Sequence, residues 1–215
     1  MLIDINKYSC LIFDCDGVIL DSNKIKTEAF YTLALPYGNN IADLLVDYHT
    51  QNGGISRYLK IKYLIEVLLK RKDSILEERL VKKYGDIVYN ELLNVNFIDG
   101  FSNFIESFGK DRSSFILSGG DQAELHRVFQ FRNMSQHFIK ILGSPTSKYE
   151  NVKKIISDIK VDNTILFGDS KLDYEVANHF GFDFVFIYEK TEFKSWELFF
   201  SDKNILCIKN WNSIL

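Results

Sequence analysis

Six short apolar runs separated by stretches of helical spacing constrain the fold of this chain more than any other feature. The runs span 8–14, 114–118, 138–142, 164–168, 183–188 and 204–208 and are rich in Ile, Phe and Val. Segments 100–108, 121–131, 148–159, 171–180 and 192–200 carry apolar residues at helical periodicity. Continuous apolar strands alternating with amphipathic helices predict βαβ units around a parallel sheet buried on both faces. The crossovers are expected to be right-handed.

One long stretch breaks the alternation. Residues 22–95 contain no strand pattern but four helical ones, SNKIKTEAFYTLAL, IADLLVDYHTQ, ISRYLKIKYLIEVLLK and SILEERLVKKYGDIVYNELL. Pro36 to Asn40 and Asn52-Gly53-Gly54 punctuate them. A block of this size is too long for a loop. It reads as a helical domain (22–95) inserted into an α/β domain (1–21 and 96–215), with Asp21-Ser22 and Asn94-Val95-Asn96 as hinges.

In an open α/β sheet, ligands bind beyond the carboxyl ends of the strands. Here the first strand runs into Asp14-Cys15-Asp16-Gly17 and the second into Ser118-Gly119-Gly120. The third leads to Gly143-Ser144-Pro145-Thr146-Ser147-Lys148, and the fourth to Gly168-Asp169-Ser170 with Asp173 one turn later. Parallel strands would gather all four sets on one rim.

Such a rim concentrates carboxylates. Two like charges about 4 Å apart repel by roughly 4 kcal/mol at an effective dielectric near 20, so Asp14, Asp16, Asp169 and Asp173 must recruit a cation or hold protons. An all-oxygen site without His or Cys suits Mg²⁺. Lys148, the Ser118 hydroxyl and the unobstructed amides of Gly119 and Gly120, near a helix start at Asp121, describe a phosphate cradle. An aspartate there can attack phosphorus, and a second acid two residues away can serve the leaving oxygen and then water. Gly17 lets the chain turn between them, and strand alternation points Cys15 away from both, into the core.

FDCDGVILDS, FILSGG, SPTSK and GDSKLD, in that order, resemble the four motifs of the haloacid dehalogenase (HAD) superfamily. The helical block after the first motif is similar to the α-helical cap of its phosphoglycolate phosphatase and β-phosphoglucomutase branch. The resemblance implies a Rossmann-like core with an inserted cap and a phosphatase that works through an aspartyl-phosphate. It implies Asp14 as nucleophile, Asp16 as acid/base, Ser118 and Lys148 as phosphate binders, and Asp169 and Asp173 around Mg²⁺. The Asp16 backbone carbonyl would be a further ligand. Asp16 argues against a dehalogenase, which has no use for the second acid. A phosphosugar mutase is the alternative within this chemistry. Outside it stand a receiver-type signalling domain, which lacks the helical insert, and a non-catalytic binding protein, against which the retained acids, serine and lysine weigh.

Within the cap block, Arg57 and Lys60 share one helix face and are candidates, with Gly119, for contact with a charged substrate group. His49 is a candidate to point inward, whereas His126, His137 and His179 are assigned to structure. The Gly53 to Tyr58 stretch is similar to caps of HAD phosphatases of surface-polysaccharide pathways. A net charge of −3 gives no footprint for nucleic acid or anionic membrane. No run nears the roughly 20 apolar residues of a bilayer span. Three cysteines at 10, 15 and 207 lack metal-ligand spacing, and the first residues lack a signal-peptide pattern. The expectation is a cytoplasmic enzyme acting on a small phosphorylated metabolite.

Overall fold

A computed structural model describes residues 3–214. Its six strands, β1 (Cys10–Phe13), β2 (Ser113–Asp121), β3 (Lys140–Ser144), β4 (Thr164–Gly168), β5 (Asp183–Ile187) and β6 (Leu206–Ile208), form one sheet in the order β3-β2-β1-β4-β5-β6. Every pairing is parallel. All six fall on the apolar runs, because a strand buried on both faces needs continuous rather than alternating hydrophobicity. All four residues of β1 are buried, with Leu11 and Phe13 packing on one face and Cys10 and Ile12 on the other. Phe13 stacks on Phe167 at 5.3 Å and meets the edge of Phe101 at 5.8 Å. Fully buried Trp211 closes that layer, its indole N–H donating to the Val18 carbonyl at 2.7 Å.

The helices of the sheet domain are α5 (Phe101–Phe108), α6 (Gln122–Phe131), α7 (Lys148–Lys153), α8 (Lys171–Phe180) and α9 (Trp196–Phe200). The helix expected over 148–159 ends at Lys153, and a separate 3₁₀ turn covers Ile156–Asp158. Consecutive β-branched Ile155 and Ile156 are poor helix formers at that point.

Between β1 and α5 lie α1 (Asn23–Ala34), α2 (Asn39–Gln51), α3 (Arg57–Tyr63) and α4 (Ser74–Asn94). The helix expected over 55–70 is α3 alone, after which Leu64–Leu68 widens into a π-type turn that buries Leu64 and Ile65. Phe30, Leu33, Leu45, Ile61 and Tyr84 give the block its own apolar interior, continuous with one face of the sheet domain. The chain enters and leaves side by side: the Asp21 N–H donates to the Asn96 carbonyl and the Ile98 N–H to that of Ile19, both at 2.9 Å. With β2 and β4 flanking β1, the strand order reverses at β1. That is the switch point where an open sheet leaves a crevice, and the helical block stands over it.

Candidate active site

The acids of β1 stand where its ladder ends. The Asp14 N–H still donates to the Phe167 carbonyl at 2.9 Å, while Cys15 turns into the core and is 1% exposed. Gly17 has φ +75°, and a Cβ there would lie 2.2 Å from Asp169 Oδ2, so both backbone and space require glycine. After β4, Ser170 caps α8, and Asp173 returns the bond in a capping box, its Oδ2 accepting from the Ser170 N–H at 3.1 Å. Ser147 caps α7 in the same manner, so Lys148 opens that helix. Lys148 Nζ donates to Asp14 Oδ1 at 2.7 Å and to Asp173 Oδ1 at 2.5 Å, with all three residues buried.

Carboxylate oxygens of Asp14, Asp169 and Asp173 lie within 4.8 Å of one another. Three ionised acids against the single charge of Lys148 would leave two negative charges in a buried volume. Burial first, then the neighbouring acids, push Asp14 up to about 7 against the pull of Lys148. Burial, with the Asp14 and Asp173 charges added, drives Asp169 well above the usual carboxylate range. A hard divalent cation matches both the excess charge and the oxygen-only donor set, so these residues fit Mg²⁺.

Asp16 stands apart from this set. Its carboxylate accepts from the Ser22 hydroxyl and from Lys26 Nζ, each at 2.5 Å. Burial alone would raise it, but the Lys26 charge and the hydrogen bonds from Lys26 and Ser22 hold it below its ordinary value. Only its backbone carbonyl is left for the metal-ligand role that the sequence assigned to Asp16. Ser118 is buried and its oxygen accepts the Gly120 N–H at 2.9 Å. Neither Ser118 nor Lys148 reaches the cavity wall, whereas Gly119 does.

A cavity of about 220 Å³ lies between these strand ends and the helical block. Arg57 and Lys60 both line it, but their fates differ. Arg57 is buried in a bidentate ion pair with Glu124 of α6, so the expectation that it offers its charge to substrate is corrected: a carboxylate of the sheet domain already holds it. Lys60 Nζ lies 2.6 Å from His49 Nδ1, and His49 does face inward. Sequence reasoning missed Lys26 and Asn23, whose amide donates to Asp169 Oδ2 at 2.6 Å. The available signal was their i, i+3 spacing directly after the first motif. Glu124 and Glu192 left no signal of that kind.

A family model described as haloacid dehalogenase-like hydrolase matches residues 11–187. No curated protein sequence matches the chain. Among solved structures, a predicted phosphatase from Clostridium acetobutylicum superposes with a TM-score of 0.72 at 15% identity, over 93% of each chain. A β-phosphoglucomutase from Clostridium difficile gives 0.71 at 16% identity, over 97% of this chain and 93% of that one. A magnesium-bound HAD-hydrolase candidate of Bacillus subtilis gives 0.66 at 19%, over 96% of each. At such identities these likenesses speak for the fold, while the family match takes in all four strand-end motifs. The chain belongs to the haloacid dehalogenase-like hydrolases.

Proposed function

We propose that this hydrolase is a Mg²⁺-dependent phosphatase of a small phosphomonoester, with Asp14 as nucleophile. The observation that carries the reading is the buried Asp14–Lys148–Asp173 contact beside Asp169. It sets one carboxylate at the mouth of the cavity, with Lys148 against it and two further acids that would hold the cation needed to oppose the repulsion of an incoming phosphate dianion. Asp14, Asp169, Asp173 and the Asp16 carbonyl would hold Mg²⁺, which when bound supplies positive charge for the phosphoryl oxygens.

In the first half-reaction an Asp14 carboxylate oxygen bonds to phosphorus as the ester P–O bond breaks, and the leaving alkoxide takes a proton from Asp16. In the second, water attacks the phosphorus of the aspartyl-phosphate, Asp16 accepts its proton, and Asp14 is regenerated. Positioning and charge compensation provide most of the acceleration in such transfers. Lys26 keeps Asp16 ionised, the form the second half-reaction uses. For the first, Asp16 must gain a proton and leave Lys26. Residues 22–95 act as the cap, its loop Gly53-Gly54-Ile55 seated on Gly119, and full closure over substrate would exclude bulk water.

Phosphate release from a panel of phosphometabolites, with and without Mg²⁺ and with Asp14→Asn as blank, tests the reading. Metal-dependent release lost in the variant is expected. A rearranged phosphosugar without free phosphate would instead mean a mutase.

A further inference from the structure

Four basic side chains line the cavity, and three are matched: Lys26 by Asp16, Arg57 by Glu124 and Lys171 by Glu175. Lys60 alone, among the described residues lining it, has no carboxylate partner. It is 3% exposed, its Nζ lies 5.6 Å from the centre of the Phe30 ring, and its one hydrogen-bond partner is His49 Nδ1. Because that nitrogen faces a lysine, the proton of the neutral ring belongs on Nε2, which is buried without a hydrogen-bond partner. The nearest acid, Glu192, lies 3.5 Å from Nε2, and the Thr27 hydroxyl engages both its oxygens at 2.6 and 2.8 Å. One wall of the cavity therefore presents an ammonium without a carboxylate partner, beside an imidazole whose Nε2 faces Glu192. An uncompensated buried ammonium is costly.

We propose that Lys60 and His49 form an anion subsite on the cap side of the cavity. The substrate would then be a phosphomonoester whose alcohol portion carries a second anionic group, a carboxylate or a second phosphate. The inference rests on the phosphatase reading and narrows its substrate class. A cavity of about 220 Å³ has room for two anionic groups joined by a short carbon chain. Arg57, the other cap cation on the wall, is not available for this role. Burial, then the Lys26 charge, brings Lys60 down to about 7 against the opposing pull of Asp16 and Glu192, which agrees with a missing counter-charge.

Calorimetric binding in Mg²⁺ of three phosphonates, propylphosphonate, 3-phosphonopropionate and propane-1,3-diphosphonate, tests the subsite without turnover. Wild type is expected to bind one of the two doubly anionic probes at least about tenfold tighter than propylphosphonate; which of them identifies the second group. Lys60→Met is expected to abolish that preference while leaving propylphosphonate affinity unchanged, and Lys60→Arg to keep part of it. Equal binding of all three by wild type, or equal loss for all three in Lys60→Met, overturns the proposal. Melting curves establish that each variant folds, and Lys60→Gln serves if Lys60→Met does not. Absence of phosphate release from any monoester would overturn the phosphatase reading alone, because the binding preference does not depend on turnover.

Discussion

Replacing Glu124 by Gln removes the charge that holds the cap to the sheet domain. Arg57 and Glu124 are 6% and 2% exposed, and the guanidinium also lies 4.8 Å from the centre of the Tyr84 ring. Breaking a buried pair by neutralising one partner costs about 3–5 kcal/mol, because the other charge stays behind in a dry site. Gln still accepts one hydrogen bond, which favours the lower end. If that penalty fell on global unfolding, a chain of this size would melt about 6–20 °C earlier. Arg57 has a cheaper escape, since opening the cap returns it to water. The loss then appears as a shift between closed and open forms of about 100-fold or more. The Tyr58 hydroxyl bond to Asp121 at 2.7 Å remains as the second clasp. Hydrogen exchange over residues 52–63 is expected to accelerate about 100-fold in Glu124→Gln, with melting lowered by less than 6 °C. Arg57→Met with Glu124→Leu, which leaves no buried charge, should restore slow exchange. Unchanged exchange in Glu124→Gln, or melting lowered by the full amount without faster local exchange, would refute the clasp.

Three further outcomes follow from the same geometry. Mg²⁺ at about 100 times its dissociation constant should stabilise the protein by about 2.7 kcal/mol, or roughly 5–10 °C. Asp169→Asn should abolish that gain in melting scans while raising the metal-free midpoint. His49 is lowered to about 4, by burial and then by the Lys60 charge, from 6.5. The unfolded chain therefore binds the extra proton between those values, and stability is lost as pH falls from 6.5 to 4, by about 3 kcal/mol from this group. Urea titrations of wild type and His49→Gln across that window should diverge by that amount, and parallel curves would contradict the assignment. A Cβ on Gly119 would lie 2.3 Å from the Gly54 carbonyl oxygen, so Gly119→Ala should unseat the cap and lower kcat/KM about 100-fold with little change in melting.

The sheet was legible because each strand is buried on both faces, which leaves a continuous apolar run with no competing pattern. The acids of β1 and β4 were legible because a parallel sheet delivers strand ends to one rim. Long-range charge pairing was not. Arg57 meets a partner 67 residues away, and Lys148 one 134 residues away. Nothing local separates Arg57, whose charge is already matched, from Lys60, whose charge is not. Lys26 was hidden for a related reason. On α1 it sits beside Lys24 and Glu28, an exposed i, i+4 pair, and reads as part of a solvated face until the fold places Asp16 against it.

The central claim is that Asp14 becomes phosphorylated, and a rapid-quench experiment reads this directly. Enzyme mixed with excess phosphomonoester and Mg²⁺ is quenched in acid within milliseconds, and the peptide bearing residues 10–20 is weighed. The account predicts one added phosphoryl group on Asp14, absent without Mg²⁺ and absent in Asp14→Asn. Phosphate released at full rate with no phosphorylated Asp14, or with Asp14→Asn as active as wild type, would contradict it.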